Sequence, residues 1–386
     1  MSYLDSFQTL RIAQIVVSIN PRRGGKERFV GDLIRELMRL EHEVTLITCD
    51  QRFEVDIDCD LHYVQGWKPS GFPVIPSFSD LIKRLRSGFD IVHLHYCALF
   101  GDIVALACRL CGQPLITTLH SEMKRGVHKI LYDRVQLCTI SSLSHKVICL
   151  TDGMKRTLVR RGLDKRKIVV IPNAMHVREL KSQANKLKDD VHSDHHFDLL
   201  FVGRLEERKG AQYLLKALSL LKKDGFRPAL KIVGEGIYKH KLMSVVKENA
   251  LSSQVVFTGY ISRQELLKTY LDAKCVVIPS LYEGTPGVAI EALALGKPII
   301  TTSIPGMEAI SSRGLGFTTP PRDYNVLAEA IRKILSMDDE ELQRIKSAGK
   351  AFAEQYDWSR TIEQIIQVYY ECYKNGCEQK GIDSQC

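Results

Sequence analysis

Short apolar segments alternate with segments of helical periodicity along most of this chain, and the alternation runs through two series. In the first series, the predicted strands are residues 11–18, 43–48, 90–93, 114–119, 146–150 and 168–171. In the second series, they are residues 198–202, 229–233, 255–257, 275–278 and 298–301. Strands separated by helices pair in parallel within a doubly wound sheet. The sequence therefore predicts an α/β protein with two doubly wound domains.

A charged segment separates the two series. Residues 180–196 break the apolar periodicity and are predicted to link an N-terminal domain, residues 1–179, to a C-terminal domain, residues 197–356. The length of 386 residues agrees with two cores, because single cores stop growing at about 250–300 residues. Ligands of such sheets bind at the carboxyl ends of the strands. We expect the two domains to face each other across a cleft.

Two glutamates, Glu283 and Glu291, are separated by seven residues and flank the predicted start of a helix. Thr285 is a preferred N-cap residue, and Pro286 suits the first helical position. The next backbone amides would point out of a helix N-terminus, which attracts anions, and they belong to Gly287 and Val288. Both carboxylates are therefore predicted to face one ligand.

The segment around these glutamates, SLYEGTPGVAIEALALGKPII, resembles the donor-sugar signature of the family 4 glycosyltransferases with the GT-B fold. Other segments resemble that family in the order it uses, namely NPRRGGKERFVGDLIRELMRLEHEVTLIT, TTLHSE, VICLT, VVIPNAM and VGRLEERKG. The resemblance covers nearly the whole chain. It implies two Rossmann-like domains and a C-terminal helix, residues 357–376, that packs on the first domain and precedes a tail, residues 377–386.

The resemblance also implies roles for residues of the second domain. Arg204 and Lys209 stabilise the leaving diphosphate, Glu283 fixes hydroxyls of the donor sugar, and Glu291 binds the ribose. The residues that hold sugar, phosphate or base are Thr285, Pro286, Gly287, Val288, Tyr260 and Ile261. Spacing alone favours a different interpretation, with two surface cations, a solvated Glu283 and a Glu291 that pairs with a cation such as Lys297.

Two features of the first domain match the same family. Gly24 and Gly25 follow the first predicted strand, and the resemblance places their loop over the donor phosphate and the acceptor. His120 ends the strand PLITTLH, and its TLHS context resembles the segment of the family's active-site histidine near the donor sugar. Without the resemblance, the loop would be an ordinary turn and His120 a structural residue.

Family 4 enzymes are retaining, so the resemblance implies a front-face reaction in which the departing phosphate takes the acceptor's proton. The donor is expected to be a nucleotide sugar, with uracil as the base. No metal ligand set is evident, and neither a metal nor another cofactor is expected.

The alternatives to a transferase are a catalytically inactive GT-B scaffold and a sugar-nucleotide epimerase. The inactive scaffold would be expected to have lost Arg204, Lys209 or Glu283, and all three are present.

The net charge of the chain and its basic residues indicate what kind of acceptor the protein could bind. The net charge is +9, and basic residues of the first domain suit an anionic acceptor, such as a lipid-linked phosphate at a membrane surface; a merely solvated basic face fits equally. Glycan, lipid-linked and small polyol acceptors all stay open. Aromatic residues are not interleaved with these cations, so nucleic acid is not an expected partner. The N-terminus does not resemble a signal peptide, and a cytoplasmic protein, peripheral at most to the inner face of a membrane, is expected.

Overall fold

The computed structural model describes residues 8–18, 25–49, 57–67, 74–120, 130–187, 197–283 and 287–379. The chain divides into two compact units, each described by itself. The first unit consists of Met1–Ala174 and Trp358–Cys386, and the second consists of Met175–Asp357. The prediction of two α/β domains of the Rossmann-like type is confirmed.

Seven parallel strands form the sheet in the described part of the first unit, in the order β3-β2-β1-β6-β7-β8-β9. Their side chains are almost all buried at the sheet centre, as expected when helices cover both faces. The strands are β1 (Arg11–Val16), β2 (Glu43–Thr48), β3 (Asp60–Tyr63), β6 (Ile91–His95), β7 (Leu115–Leu119), β8 (Lys146–Cys149) and β9 (Ile168–Val170), with an antiparallel pair, β4 (Gly66–Trp67) and β5 (Ile75–Pro76).

The helices of the first unit include the last one of the chain. They are α1 (Gly25–Arg39), α2 (Phe78–Leu85), α3 (Ala98–Leu110), α4 (Ile130–Leu143), α5 (Asp152–Arg160) and α14 (Trp358–Gln379). Helix α14 belongs to the core that also contains α1, β1 and β2, where its residues Ile362, Ile365 and Tyr369 are fully or almost fully buried. The predicted return of the C-terminal helix to the first domain is confirmed.

The second unit has a parallel sheet in the order β12-β11-β10-β13-β14-β15. Its strands are β10 (Leu199–Val202), β11 (Leu230–Val233), β12 (Val255–Gly259), β13 (Cys275–Ile278), β14 (Ile299–Thr302) and β15 (Gly316–Thr319). Its helices are α6 (Val177–Lys186), α7 (Ala211–Lys223), α8 (Lys239–Glu248), α9 (Arg263–Asp272), α10 (Gly287–Ala294), α11 (Glu308–Ser311), α12 (Tyr324–Leu335) and α13 (Asp339–Ala353). The order reverses between β10 and β13, so the loops after these two strands meet at a switch point.

The predicted linker, residues 180–196, is wrong in its first part. Val177, Leu180 and Ala184 are spaced at a helical interval and are buried, so α6 is an amphipathic helix that packs against α10 in the second unit. The many charged residues between these positions lie on the other face of the helix and hid the periodicity. Residues 188–196 lie outside the described residues.

Candidate functional site

The loops after β10 and β13 bring together two residues that the sequence singled out. The Nζ atom of Lys209 lies 2.5 Å from Oε1 of Glu283 and donates a hydrogen bond to it. The hydroxyl of Ser280 donates a second hydrogen bond to the same oxygen, at 2.7 Å. Glu283 is only 8% exposed, so it is not the solvated loop residue of the alternative interpretation. The arrangement is a buried carboxylate held by one cation and one hydroxyl.

Gly210 explains how the two loops come so close. Its φ is +74°, and a Cβ atom at this position would lie 1.8 Å from the carbonyl oxygen of Pro279. Only glycine fits both this left-handed conformation and this approach. The backbone N–H of Leu281 also donates to the carbonyl of Arg208 at 2.7 Å, which fixes the two loops side by side.

A small cavity of about 50 Å³ opens beside this ion pair. It is lined by Phe201, Val202, Lys209, Ile278, Ser280, Glu283, Gly287 and Val288. The last two residues begin α10, so the start of this helix lies at the cavity, as the sequence predicted. Thr285 and Pro286, which the sequence placed at the same helix start, lie outside the described residues. The cavity thus offers a cation, a carboxylate and a helix N-terminus, a combination that fits an anion next to hydroxyl groups.

Glu291 lies one turn into α10 and is also buried, but it has its own partners. Tyr270 donates its hydroxyl to Oε2 at 2.9 Å, and Arg263 donates Nη1 to Oε1 at 2.6 Å. Both partners lie on α9. Burial, followed by the nearby carboxylate of Glu291, raises the pKa of Tyr270 well above its usual value, so the phenol stays protonated and donates.

Lys297 was the cation proposed for Glu291 in the alternative interpretation, and the structure gives it another role. Its Nζ atom donates to the carbonyls of Leu271 at 2.7 Å and Ala273 at 2.8 Å, at the C-terminus of α9. Burial lowers the pKa of Lys297 to about 8. It is a capping cation for that helix end.

Arg204 follows β10, as predicted, but the contacts described for it lead away from Glu283. Its guanidinium is 58% exposed and lies 2.9 Å from Glu206, which also accepts a hydrogen bond from Arg208 at 2.7 Å. The structure therefore places Lys209, and not Arg204, in direct contact with the buried carboxylate.

Tyr260 and Ile261 follow β12 at the same edge of the sheet. Tyr260 is 84% exposed, whereas Ile261 packs against the core of the second unit. Helix α9 begins immediately afterwards with a capping box between Ser262 and Glu265. The turn is thus rigidly joined to the helix that carries the two partners of Glu291.

In the first unit, His120 follows β7 and is part of a buried polar cluster. Its Nε2 atom lies 2.9 Å from Nδ1 of His95, and its ring meets the ring of Phe29 edge to face. Burial lowers the pKa of His120 to about 3. Gly25 begins α1 of this unit, and Gly24 lies outside the described residues.

Sequence reasoning missed several of these residues. Ser280, Tyr270 and Arg263 act through tertiary contacts that no local pattern marks. His93 and His95 alternate along β6, and this period of two was an available signal that both face the same side of the sheet. The predicted strand ended at residue 93, so His95 was left out.

Two family models match the chain. "Glycosyltransferase Family 4" matches residues 23–179, and "Glycosyl transferases group 1" matches residues 182–352. Together they span most of both units.

Curated relatives point the same way. A glycogen synthase of Mycobacterium tuberculosis is 27% identical over 293 residues, which cover 72% of this chain and 68% of the relative. An N-acetylgalactosaminyltransferase of Campylobacter jejuni, whose name specifies N-acetylgalactosamine-N,N'-diacetylbacillosaminyl-diphospho-undecaprenol, is 26% identical over 86% of this chain and 93% of its own length.

Solved structures share the fold. A glycosyltransferase from Rickettsia africae has a TM-score of 0.80 and 21% identity, covering 96% of this chain and all of its own. The Anabaena protein HepE, in complex with UDP, has a TM-score of 0.78 and 19% identity, covering 94% of this chain and all of its own.

Proposed function

Because the chain belongs to the family 4 glycosyltransferases and has the GT-B fold, we propose that it is a retaining enzyme with a UDP-sugar as donor. The sugar is transferred to a hydroxyl group of a glycan, lipid-linked or small polyol acceptor. The observation that carries this proposal is the buried assembly of Lys209, Glu283 and Ser280 at the switch point of the second sheet.

Lys209 neutralises the diphosphate as it leaves. Negative charge grows on the phosphate oxygens in the transition state, and a fixed cation in a largely buried position stabilises that charge strongly. Lys209 is held by Glu283 and lies next to the start of α10, whose amides favour an anion. Arg204, which is exposed, is proposed to turn from Glu206 toward the phosphate when the donor binds.

Glu283 fixes the donor sugar. Its carboxylate accepts hydrogen bonds from Lys209 and Ser280 through Oε1, which leaves Oε2 for sugar hydroxyls. When the diphosphate draws Lys209 toward itself, the hydrogen bond from Ser280 still holds the carboxylate. The same side chain thereby orients the lysine before binding and the sugar after it.

Glu291 is proposed to bind the ribose, next to the turn of Tyr260 and Ile261, where the base is held. The carboxylate is fixed by Tyr270, and Arg263 is a half-exposed partner that a ribose hydroxyl replaces. The choice of UDP is supported by HepE, whose structure contains UDP. Thr285, Pro286, Gly287 and Val288 are proposed to hold sugar and phosphate.

The reaction needs no second carboxylate. The bond between the anomeric carbon and the phosphate oxygen breaks, and the acceptor oxygen forms a bond on the same face. The acceptor's proton passes to the departing phosphate oxygen, and Lys209 and Arg204 are proposed to neutralise the diphosphate in place of a metal ion. His120 and the loop of Gly24 and Gly25 are proposed to act on the sugar and the acceptor from the first domain.

A lipid-linked acceptor is supported by the C. jejuni relative, whose name specifies a diphospho-undecaprenol. None of the helices in the described ranges is both long and apolar enough to cross a bilayer. From the net charge of +9, peripheral contact with an anionic membrane surface is proposed. Sedimentation with vesicles that contain anionic lipid, compared with neutral vesicles, tests it.

Thermal denaturation with a panel of nucleoside diphosphates and nucleotide sugars tests the function. A ligand that binds the native state raises the melting temperature by mass action. We expect UDP and one UDP-sugar to raise it in the wild type and not in Glu291→Ala. An inactive scaffold would bind none of the panel, and an epimerase would convert the bound sugar without an acceptor.

A further inference from the structure

A chain of hydrogen bonds crosses the core of the first unit and ends at His120. Tyr369 Oη lies 2.6 Å from His93 Nδ1 and 2.9 Å from Gln14 Nε2. Gln14 Oε1 lies 2.9 Å from His95 Nε2, and His95 Nδ1 lies 2.9 Å from His120 Nε2. At the other end, His93 Nε2 lies 2.7 Å from the hydroxyl of Thr118. The chain joins β1, β6, β7 and α14.

Water does not reach most of this chain. Gln14, His93, His95 and Tyr369 are completely buried, and Thr118 is almost completely buried. Each polar atom therefore takes its role as donor or acceptor from its neighbour in the chain. Burial lowers the pKa of His93 to about 3. Burial also lowers the pKa of His95 well below its usual value, and electrostatic repulsion from His93, His120 and Lys26 lowers it further. Each ring is therefore neutral and carries one proton.

The amide of Gln14 sets the direction of the hydrogen bonds. Its Nε2 group donates to Tyr369, so Tyr369 donates its own proton to His93 Nδ1. Its Oε1 atom is an acceptor, so His95 must carry its proton on Nε2 and accept at Nδ1. The donor to His95 Nδ1 is then the Nε2–H of His120. By this sequence of constraints, Nδ1 of His120 is an unprotonated acceptor.

The free end of the chain is formed by His120 and Asn173, whose side chains lie within hydrogen-bonding reach of each other. His120 Nδ1 and Asn173 Oδ1 are both buried, and with Nδ1 unprotonated neither atom has a proton to donate to the other. Two acceptors without a donor fit a ligand that supplies hydroxyl protons, such as a sugar. The ring itself packs against Phe29, which meets the rings of His120 and His95 in T-shaped contacts and stacks on Trp358 at 5.1 Å.

We propose that Gln14, His95 and Tyr369 are positioning residues that hold His120 as the Nε2–H tautomer, with Nδ1 ready to accept a substrate hydroxyl. This inference rests on the proposed function. It gives α14 a role in the reaction, because Tyr369 lies on that helix and anchors the amide of Gln14. His120 acts as a neutral acceptor and does not serve as a general acid.

Nitrogen NMR of the protein labelled with ¹⁵N-histidine tests the tautomer directly, because protonated and unprotonated ring nitrogens resonate far apart. In the wild type, we expect the proton of His95 and of His120 on Nε2. A wild-type spectrum with the proton of His120 on Nδ1 would overturn the inference. Because the spectrum needs no substrate, it tests the tautomer separately from the proposed function. The proposed function fails if no nucleotide sugar binds or is turned over.

Tyr369→Phe tests the positioning role. Without the phenol, the amide of Gln14 is free to turn, and we expect His120 to populate both tautomers and kcat to fall about tenfold, the equivalent of one buried hydrogen bond. The KM for the donor and the affinity for UDP should stay unchanged. Tyr370→Phe is the matched control, because Tyr370 lies next on the same helix and its hydroxyl donates to the carbonyl of Gln8 instead. Equal effects of the two variants would contradict the inference.

Gln14→Glu gives a second test, of the acceptor that faces His95. Burial favours the protonated form of the new carboxyl group, which donates its proton to Tyr369 and accepts from His95 through its other oxygen, as the amide does. His95 and His120 should therefore keep their protons on Nε2. If His120 changes its tautomer in this variant, the inferred direction of the hydrogen bonds is wrong.

Discussion

The side-chain nitrogen of Lys209 and a carboxylate oxygen of Glu283 are 2.5 Å apart, although 74 positions separate the residues in the chain. Their side chains are only 17% and 8% exposed. A buried charge that has lost its partner is costly, so each residue holds the other in place until a ligand arrives. The ligand-free protein therefore already holds the cation that the proposed leaving group requires.

Glu283→Gln distinguishes the proposed contact with the donor sugar from the proposed contact with the diphosphate. The glutamine fills the same space but removes a negative charge beside Lys209, so we expect UDP to bind several times more tightly. Turnover of the UDP-sugar should fall about 100-fold, because the contact with the sugar in the transition state is weakened. Calorimetry and a turnover assay measure the two effects. Glu341→Gln, at an exposed position of helix α13, is the control and should change neither quantity.

Gly210→Ala should push the two site loops apart. The methyl group would meet the carbonyl oxygen of Pro279, and the left-handed conformation adds strain. Gly225→Ala is a matched control, because its φ is +80° and nothing lies within 4 Å of its Cβ position. We expect the control to lose about 1 kcal/mol of unfolding free energy and Gly210→Ala to lose about 2 kcal/mol more, together with activity. Equal losses would show that the close approach is unimportant.

Tyr270→Phe tests how Glu291 is held. The variant keeps the ring and removes the hydroxyl that donates to Oε2. A hydrogen bond to a charged group contributes about 1.5–3 kcal/mol, so we expect UDP affinity to fall at least about tenfold. The kcat at saturating donor should change little, because Glu291 is proposed to bind the ribose and not the reacting sugar. Tyr213→Phe is the control, because Tyr213 lies on α7 with its ring beside Lys216 and not on α9 beside Glu291. A wild-type affinity in Tyr270→Phe would argue against the role of Glu291.

Stability of the first unit should fall in mild acid. Burial lowers the pKa of His93 and of His120 from 6.5 to about 3, so between these values the unfolded chain binds protons that the native state does not. Each such histidine reduces the free energy of unfolding by about 1.4 kcal/mol per pH unit as the pH falls through this window. Both tryptophans of the chain belong to the first unit, so tryptophan fluorescence in urea reports its unfolding. Equal midpoints at pH 7 and pH 5 would contradict this account.

The sequence predicted most of the sheets because their strands are continuous apolar runs. It missed β3 and β15, which are short and only partly buried. Because they include polar residues, they do not form the continuous apolar runs that mark the other strands. Lys209, Glu283 and Glu291 could be singled out because they occur in motifs. Their partners Ser280 and Tyr270 could not, because the contacts form only after the strands are ordered in space. The same reason explains the buried chain of hydrogen bonds, in which Gln14 and Tyr369 are direct partners although 355 positions separate them.

The release of UDP from the UDP-sugar by Lys209→Met, compared with the wild type, tests the central claim most directly. Methionine keeps much of the length and apolar character of the lysine side chain and removes its charge. If Lys209 stabilises the leaving diphosphate, the rate should fall at least about 100-fold, while the variant stays folded. A variant that releases UDP at the wild-type rate would contradict the assignment of this site.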